Sequence, residues 1–300
     1  MLTVAVWIGG LAALSAVAKQ VHDDVPQALA RKLPLLQLKP RIVFAGDSRT
    51  HYQIDAALAA KLAGLPVGKV VNIAYEAGEP LAFLAVMRRY PELFADAQVV
   101  TSVAPSIFNE GVKQATAYPQ NAFARLGVAQ QLVTFLPMRV GTVIRFIREA
   151  FASRLTADQD LAGSGTMPPD YGYVGLKHFA AYNWPKDLGS HPLYENWNVN
   201  GPKSQFEIGA LCDMARLTQR LTVMLPPWSP RYDRGIDTVW SKKDAEEVAL
   251  LTTAGERCHF DVLNIPAVPG LTAEDYSDEL HLNESGVPLY TRHVMSHLKS

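Results

Sequence analysis

The chain has 300 residues, of which 48% are hydrophobic, and its 28 Lys and Arg against 29 Asp and Glu leave a formal net charge of −1. That composition supports the core of one large or two modest domains and excludes a disordered or fibrous chain. Basic residues never run longer than two together, so the electrostatic footprint of a nucleic-acid partner is missing.

Met1 to Ala18 carries no charged side chain and reaches the lower limit of about 17 residues for a membrane-spanning helix. It reads as a transmembrane anchor or signal segment, and Ala16-Val17-Ala18 has the small-x-small form of a cleavage site. A buried helix of the soluble fold is the weaker reading, because such helices rarely lack a polar face. Lys19, Arg31 and Lys32 mingle with Asp23 and Asp24 and set no orientation. Residues 19–40 read as a linker with one short helix, punctuated by Pro34 and Pro40.

Five short apolar runs rich in β-branched residues follow. They begin at Arg41, Lys69, Ala97, Arg220 and His259 and read as strands buried on both faces. Helical patterns cover Ile54 to Leu62, Pro80 to Tyr90, Gln205 to Thr218 and Lys242 to Ala254. A closing helix follows Ser285 as N-cap, with Pro288 in its first turn and Val287, Tyr290, Val294 and Leu298 on one face. Strand alternating with helix predicts an α/β fold: three layers, α/β/α, around a mostly parallel five-stranded sheet, filling residues 41–300. An insertion at about 110–204 exceeds what a simple crossover needs. Its first half reads as amphipathic helices and its second as an aromatic loop with Tyr171, Tyr173, Tyr182, Trp184, Tyr194 and Trp197. Those rings either pack the loop onto the sheet edge or stack on sugars.

In a parallel sheet the loops after the strands share one edge, where such folds bind ligands. That edge collects Asp47 and Ser48, Ala74 to Gly78, Pro105 to Asn109, Pro226 to Trp228, and the loop leading to Asp278 and His281. Acyl transfer through serine needs a nucleophile, a base, a group that orients the base and donors for the oxyanion. Ser48 follows a strand directly in "FAGDSRT". His281 is the base candidate, since an imidazole can accept and return a proton, and Asp278, three residues earlier in "SDELHL", can hold its ring. The backbone N–H groups of Ser48 and Gly78 and the amide of Asn109 are the oxyanion candidates. Asp47, Arg49 and Trp228 are candidate substrate contacts, as is His51 beside the nucleophile.

At these residues the chain resembles the SGNH, or GDSL-type, hydrolase superfamily, whose fold is flavodoxin-like. "GDS" at Gly46 to Ser48, the glycine of "NIAYEAGEP" and "DELHL" at Asp278 to Leu282 match its first, second and last blocks in order. The usual third block, Gly-x-Asn-Asp, is replaced by "VAPSIFNE". The resemblance implies Ser48 as nucleophile, His281 as base and Asp278 as orienting acid, with no cofactor and no metal. With the N-terminal segment, it is similar to the membrane-anchored branch that includes alginate O-acetylation and teichoic-acid D-alanylation proteins. It thereby implies an esterase or O-acyltransferase outside the cytoplasmic membrane, an acylated glycan or acyl donor as ligand, and a multispanning acyltransferase as partner. The rival reading is a catalytically impaired glycan-binding or scaffold protein of the same fold.

Other chemistries lack their residues. Arg49 stands where an aspartate-nucleophile phosphatase has its second Asp, and no Gly-x-Gly-x-x-Gly follows the first strand. The pair His293 and His297 has Val294 where a zinc protease has Glu. Cys212 and Cys258, the only cysteines, form either one disulfide in an exported domain or two free thiols.

Overall fold

The computed structural model describes residues 27–109, 169–175, 196–232 and 239–298. All five expected strands form: β1 (Ile42–Ala45), β2 (Val70–Asn72), β3 (Gln98–Ser102), β4 (Arg220–Leu225) and β5 (Asp261–Asn264). They pair in parallel in the order β2-β1-β3-β4-β5. With β1 central, the strand that leads into Ser48 is flanked on both sides, and its register (Phe44 opposite Asn72 and Val100) is set twice over.

Alternate residues of β1 feed two cores. Val43 and Ala45 join Leu35, Leu36, Phe83 and Leu211 on one face, and Ile42 and Phe44 join Ile54, Ala59, Tyr290 and Val294 on the other. The first face is covered by α4 (Pro80–Arg89), α6 (Pro202–Arg216) and α7 (Val239–Cys258), the second by α3 (Ala56–Leu62) and α8 (Val287–His297). Short helices α1 (Gln27–Ala30), α2 (Ser48–Gln53) and α5 (Pro105–Phe108) complete the described set. The sheet with helices on both faces is the expected α/β architecture.

Four details differ from the sequence reading. The segment read as a linker is part of the core: Leu29, Leu33, Leu35 and Leu36 are buried, the last three in a 3-10 turn over Leu33–Leu38. Its leucines are too apolar to stay in solvent, and packing gives them the flank of β1. Strand β5 is an edge strand with Asp261 and Asn264 exposed, and Arg220 Nε donates to Asp261 across the edge (2.6 Å); a charged residue there discourages further pairing. The helix expected over Ile54 to Leu62 begins at Ala56, and a further helix, α2, precedes it, with Ile54 in extended geometry between the two. Gly286, not Ser285, precedes α8, and the Ser285 hydroxyl donates to Asp275 (2.7 Å).

Residues 1–18, read as an anchor or signal, and most of the insertion at 110–204 lie outside the described residues; among the described residues no helix is long and apolar enough to cross a membrane. Tyr171, Tyr173 and Trp197 pack against the cores.

The two cysteines are joined. Cys212 on α6 and Cys258 at the end of α7 form a disulfide across a sequence separation of 46 residues. Replacing both with serine is expected to lower the unfolding free energy by about 2–4 kcal/mol through the larger entropy of the opened chain. Urea unfolding of the variant measures this, and an unchanged midpoint would mean that packing alone holds the two helices.

Candidate active site

The turn between β1 and α2 is built around one carboxylate. Gly46 sits at φ 112°, and a Cβ there would collide with the backbone of Ser102, so the chain can make this bend only with glycine. Asp47 then caps α2. Its Oδ1 accepts the Arg49 N–H (3.0 Å) and the Ser102 hydroxyl (2.8 Å), while its Oδ2 accepts from Arg49 Nε (3.3 Å) and Nη2 (3.1 Å). Arg49 Nη2 also donates to the Val103 carbonyl. Asp47 and Arg49 are 4% and 3% exposed, so both side chains face inward. Asp47 is a correction to the expectation of a substrate contact, since every polar direction of its carboxylate is taken up in shaping the turn, whereas Arg49 also lines a cavity. Ser48, between them, is half-buried at the first position of α2, where a helix supplies no carbonyl for the backbone N–H.

The far end of the chain delivers the base. In the loop before α8, Asp278 Oδ1 accepts the N–H groups of Leu280 (2.8 Å) and His281 (2.7 Å), and its Oδ2 lies 2.7 Å from His281 Nδ1. Ser277 N–H donates to the His281 carbonyl (2.7 Å), and Tyr276 bridges Leu282. With its Nδ1 proton on the carboxylate, the imidazole turns the Nε2 lone pair toward Ser48, whose Oγ stands at 2.8 Å. Ser48, His281 and Asp278 are thus brought together from residues 233 positions apart. Gln53, near the end of α2, donates to the Leu280 carbonyl (2.5 Å) and so ties the nucleophile helix to the base loop.

Of the other expected oxyanion donors, Gly78 is differently employed. The Gly78 N–H donates to the Tyr75 carbonyl (3.0 Å), closing a turn. Its missing side chain has a packing reason, since a Cβ would strike the Gly46 carbonyl. Gly78 is therefore a close-approach glycine beneath the nucleophile turn. Asn109 is buried at the end of α5, and its Oδ1 accepts the Asn198 N–H (2.9 Å), pinning together the two ends of the long excursion. Trp228, after β4, is 8% exposed and walls a cavity with Arg49. Its neighbour Ser229 donates its N–H to the Glu279 carbonyl (3.0 Å) in the base loop.

Two residues that composition and motif reading passed over brace this edge. Asn72, at the end of β2, is fully buried; its Nδ2 donates to the carbonyls of Thr50 (2.8 Å) and Ile54 (3.0 Å) and so holds α2 from below. Lys32, from the segment read as a linker, donates to the carbonyls of Asn72 (3.2 Å), Ala74 (2.5 Å) and Gly172 (2.7 Å) and meets His51 Nδ1 at 2.8 Å. Burial pushes the Lys32 ammonium down to about 7. Burial and then the Lys32 charge push the His51 imidazole down to about 3. His51 is therefore a neutral ring clamped one turn beyond Ser48, with Tyr52 stacked beside it (4.5 Å between centroids) and edge-on to His281 (5.8 Å). The Tyr52 hydroxyl donates to Glu76.

Comparison of the chain with protein-family models finds no match, and no curated protein matches it.

His51 has a consequence for stability. Unfolding returns its imidazole to the ordinary value near 6.5, so between about 6.5 and 3 the unfolded chain binds a proton that the folded chain refuses. Its contribution is complete above pH 6.5 and is lost as pH falls toward 3. Urea unfolding midpoints measured from pH 7 to pH 4 should fall less steeply for His51→Gln than for wild type. Parallel profiles would mean that His51 takes up a proton without unfolding.

Proposed function

We propose that the chain is a serine-dependent esterase or O-acyltransferase of the SGNH type, acting on a cell-surface or secreted glycan through an acyl-enzyme on Ser48. The observation that carries this reading is the unbroken chain from Ser48 Oγ to His281 Nε2 (2.8 Å) and from His281 Nδ1 to Asp278 Oδ2 (2.7 Å). In the first step Ser48 Oγ attacks the carbonyl carbon of an ester while its proton passes to His281 Nε2. The oxyanion that forms is met by the Ser48 N–H, and Asp278 stabilises the imidazolium. Collapse breaks the bond to the alkoxide, which takes the proton from His281 and leaves. Water or a glycan hydroxyl then gives its proton to His281 and attacks the acyl-enzyme, restoring Ser48. The first acceptor makes the protein a hydrolase and the second a transferase, according to how well the bound glycan excludes water.

The disulfide between Cys212 and Cys258 supports a site of action outside the cytoplasm, where such bonds persist. With residues 1–18 as membrane anchor, the domain would stand beside a multispanning acyltransferase as acyl donor. The alternative, a catalytically impaired scaffold that binds glycan, is favoured by one specific observation: the Gly78 N–H is engaged within the protein, on the Tyr75 carbonyl. Loss of an oxyanion donor costs about 10²–10³ in kcat.

A fluorophosphonate probe separates the two. Wild-type protein is expected to label and Ser48→Ala to stay dark, with His281→Ala hydrolysing an activated ester at least about 10³-fold more slowly and Asp278→Asn about 10²–10⁴-fold more slowly. Equal labelling of wild type and Ser48→Ala, or labelling of neither, would overturn the acyl-enzyme reading in favour of the scaffold.

A further inference from the structure

Beyond the Ser48–His281 pair, the C-terminal edge of the sheet holds a partly enclosed cavity of about 130 Å³ between the loops after β3, β4 and β5 and the start of α7. Leu225, Trp228 and Ile265 form apolar walls, and Arg49 and Glu247 supply polar groups. Glu247 is 1% exposed, and among the described residues neither of its carboxyl oxygens has a hydrogen-bond partner. A buried polar group left so is costly unless a further group completes it. Arg49 and Asp244 lie close enough to act on Glu247 electrostatically, and burial holds its carboxyl well above the ordinary range.

We propose that this cavity is a subsite for the acetamido group of an N-acylated amino sugar, with Glu247 accepting the amide N–H and Arg49 donating to the amide carbonyl. The pairing follows from the groups present. A free amine would bring a second cation against the Arg49 guanidinium, and a carboxylate would meet Asp244 and the Glu247 carboxyl. A hydrocarbon acyl chain would fill the apolar part and leave Glu247 as it is, without a hydrogen-bond partner among the described residues. A neutral amide offers one donor and one acceptor together, and it matches Glu247 in either protonation state, since the carbonyl oxygen of a protonated carboxyl still accepts. Its methyl group then lies on Trp228 and its neighbours. The four heavy atoms of an acetamido group fit the volume, and a cavity of comparable size is known to take a small organic molecule.

The subsite is joined to the reactive groups by covalent neighbours. Arg49 follows Ser48 directly, and Ser229, on the cavity wall, is bonded through its N–H to Glu279, two residues before His281. The assignment rests on the acyl-transfer reading and deepens it by naming the acceptor glycan as one that carries N-acetyl groups.

Saturation-transfer NMR on full-length Ser48→Ala protein, with N-acetylglucosamine, glucose, glucosamine and butyrate as probes, tests it. N-acetylglucosamine should bind with its strongest saturation on the acetyl methyl, and glucose and glucosamine should bind about tenfold more weakly or worse. Adding Glu247→Leu should weaken N-acetylglucosamine about tenfold, while Glu247→Gln, which keeps an acceptor, stays within about threefold. Leucine removes an unpartnered buried carboxyl, so that variant should melt no lower than its parent, and lost binding would not reflect unfolding. Equal binding of glucose and N-acetylglucosamine, undiminished binding by Glu247→Leu, or displacement of the acetyl methyl by butyrate at equal concentration would each overturn the subsite. Probe labelling of wild-type Ser48 does not depend on Glu247. Labelled protein that fails to bind the amide therefore overturns the subsite alone, and unlabelled protein that binds it overturns only the acyl-enzyme.

Discussion

Asp47 has four hydrogen bonds to satisfy and finds all of them within two neighbouring loops. Its carboxylate caps α2, clamps Arg49 and takes the hydroxyl of Ser102 from the end of β3. A carboxylate this deeply buried is tolerated only when paired and fully bonded. The pairing therefore dictates the path of the chain on both sides: Gly46 must bend at positive φ to let the carboxyl in, and Arg49 must fold inward to meet it. Ser48 is the residue left facing outward. Gly78 then packs on the Gly46 carbonyl, and the cavity beside Trp228 takes shape against the back of the same guanidinium.

The strands were legible because a parallel strand buried on both faces must be apolar along most of its length, as "IVFA" and "RLTVML" are. The Ser48–His281–Asp278 trio was legible for a different reason: Asp-x-x-His fixes a local geometry, and topology brings its loop to the edge that holds Ser48. What escaped the sequence depends on contacts that have no local signature. "SRTHYQ" has no apolar period, so α2 is visible only through its Asp47 cap. Asp47 and Arg49 flank a nucleophile and invite a substrate role, yet which way they turn is decided by Ser102 and Val103, more than fifty residues away. Asn109 carries the side chain that an oxyanion hole would use, and its orientation is set through its oxygen by Asn198 across the excursion.

Lys32 illustrates the same limit from the other direction. A lysine among leucines and prolines reads as the solvated face of a linker, and nothing in "RKLPLLQL" marks it for burial. Three carbonyls and an imidazole, supplied by β2, the loop after it, the excursion and α2, give its ammonium the acceptors it would otherwise find in water. The strap before β1 thereby becomes a brace of the site, and His51 is held uncharged at its side.

The bond between Ser48 and His281 spans 233 residues, and β5, whose following loop carries His281, is the last strand to join the sheet. A ribosome therefore finishes the nucleophile turn long before it makes the base. Throughout synthesis Ser48 stands without its imidazole partner, and the hydrogen bond between them forms only when the final loop docks on the assembled edge. Under the proposed acyl-enzyme reading an unfinished chain is chemically silent, and labelling of Ser48 would mark the completion of the whole domain.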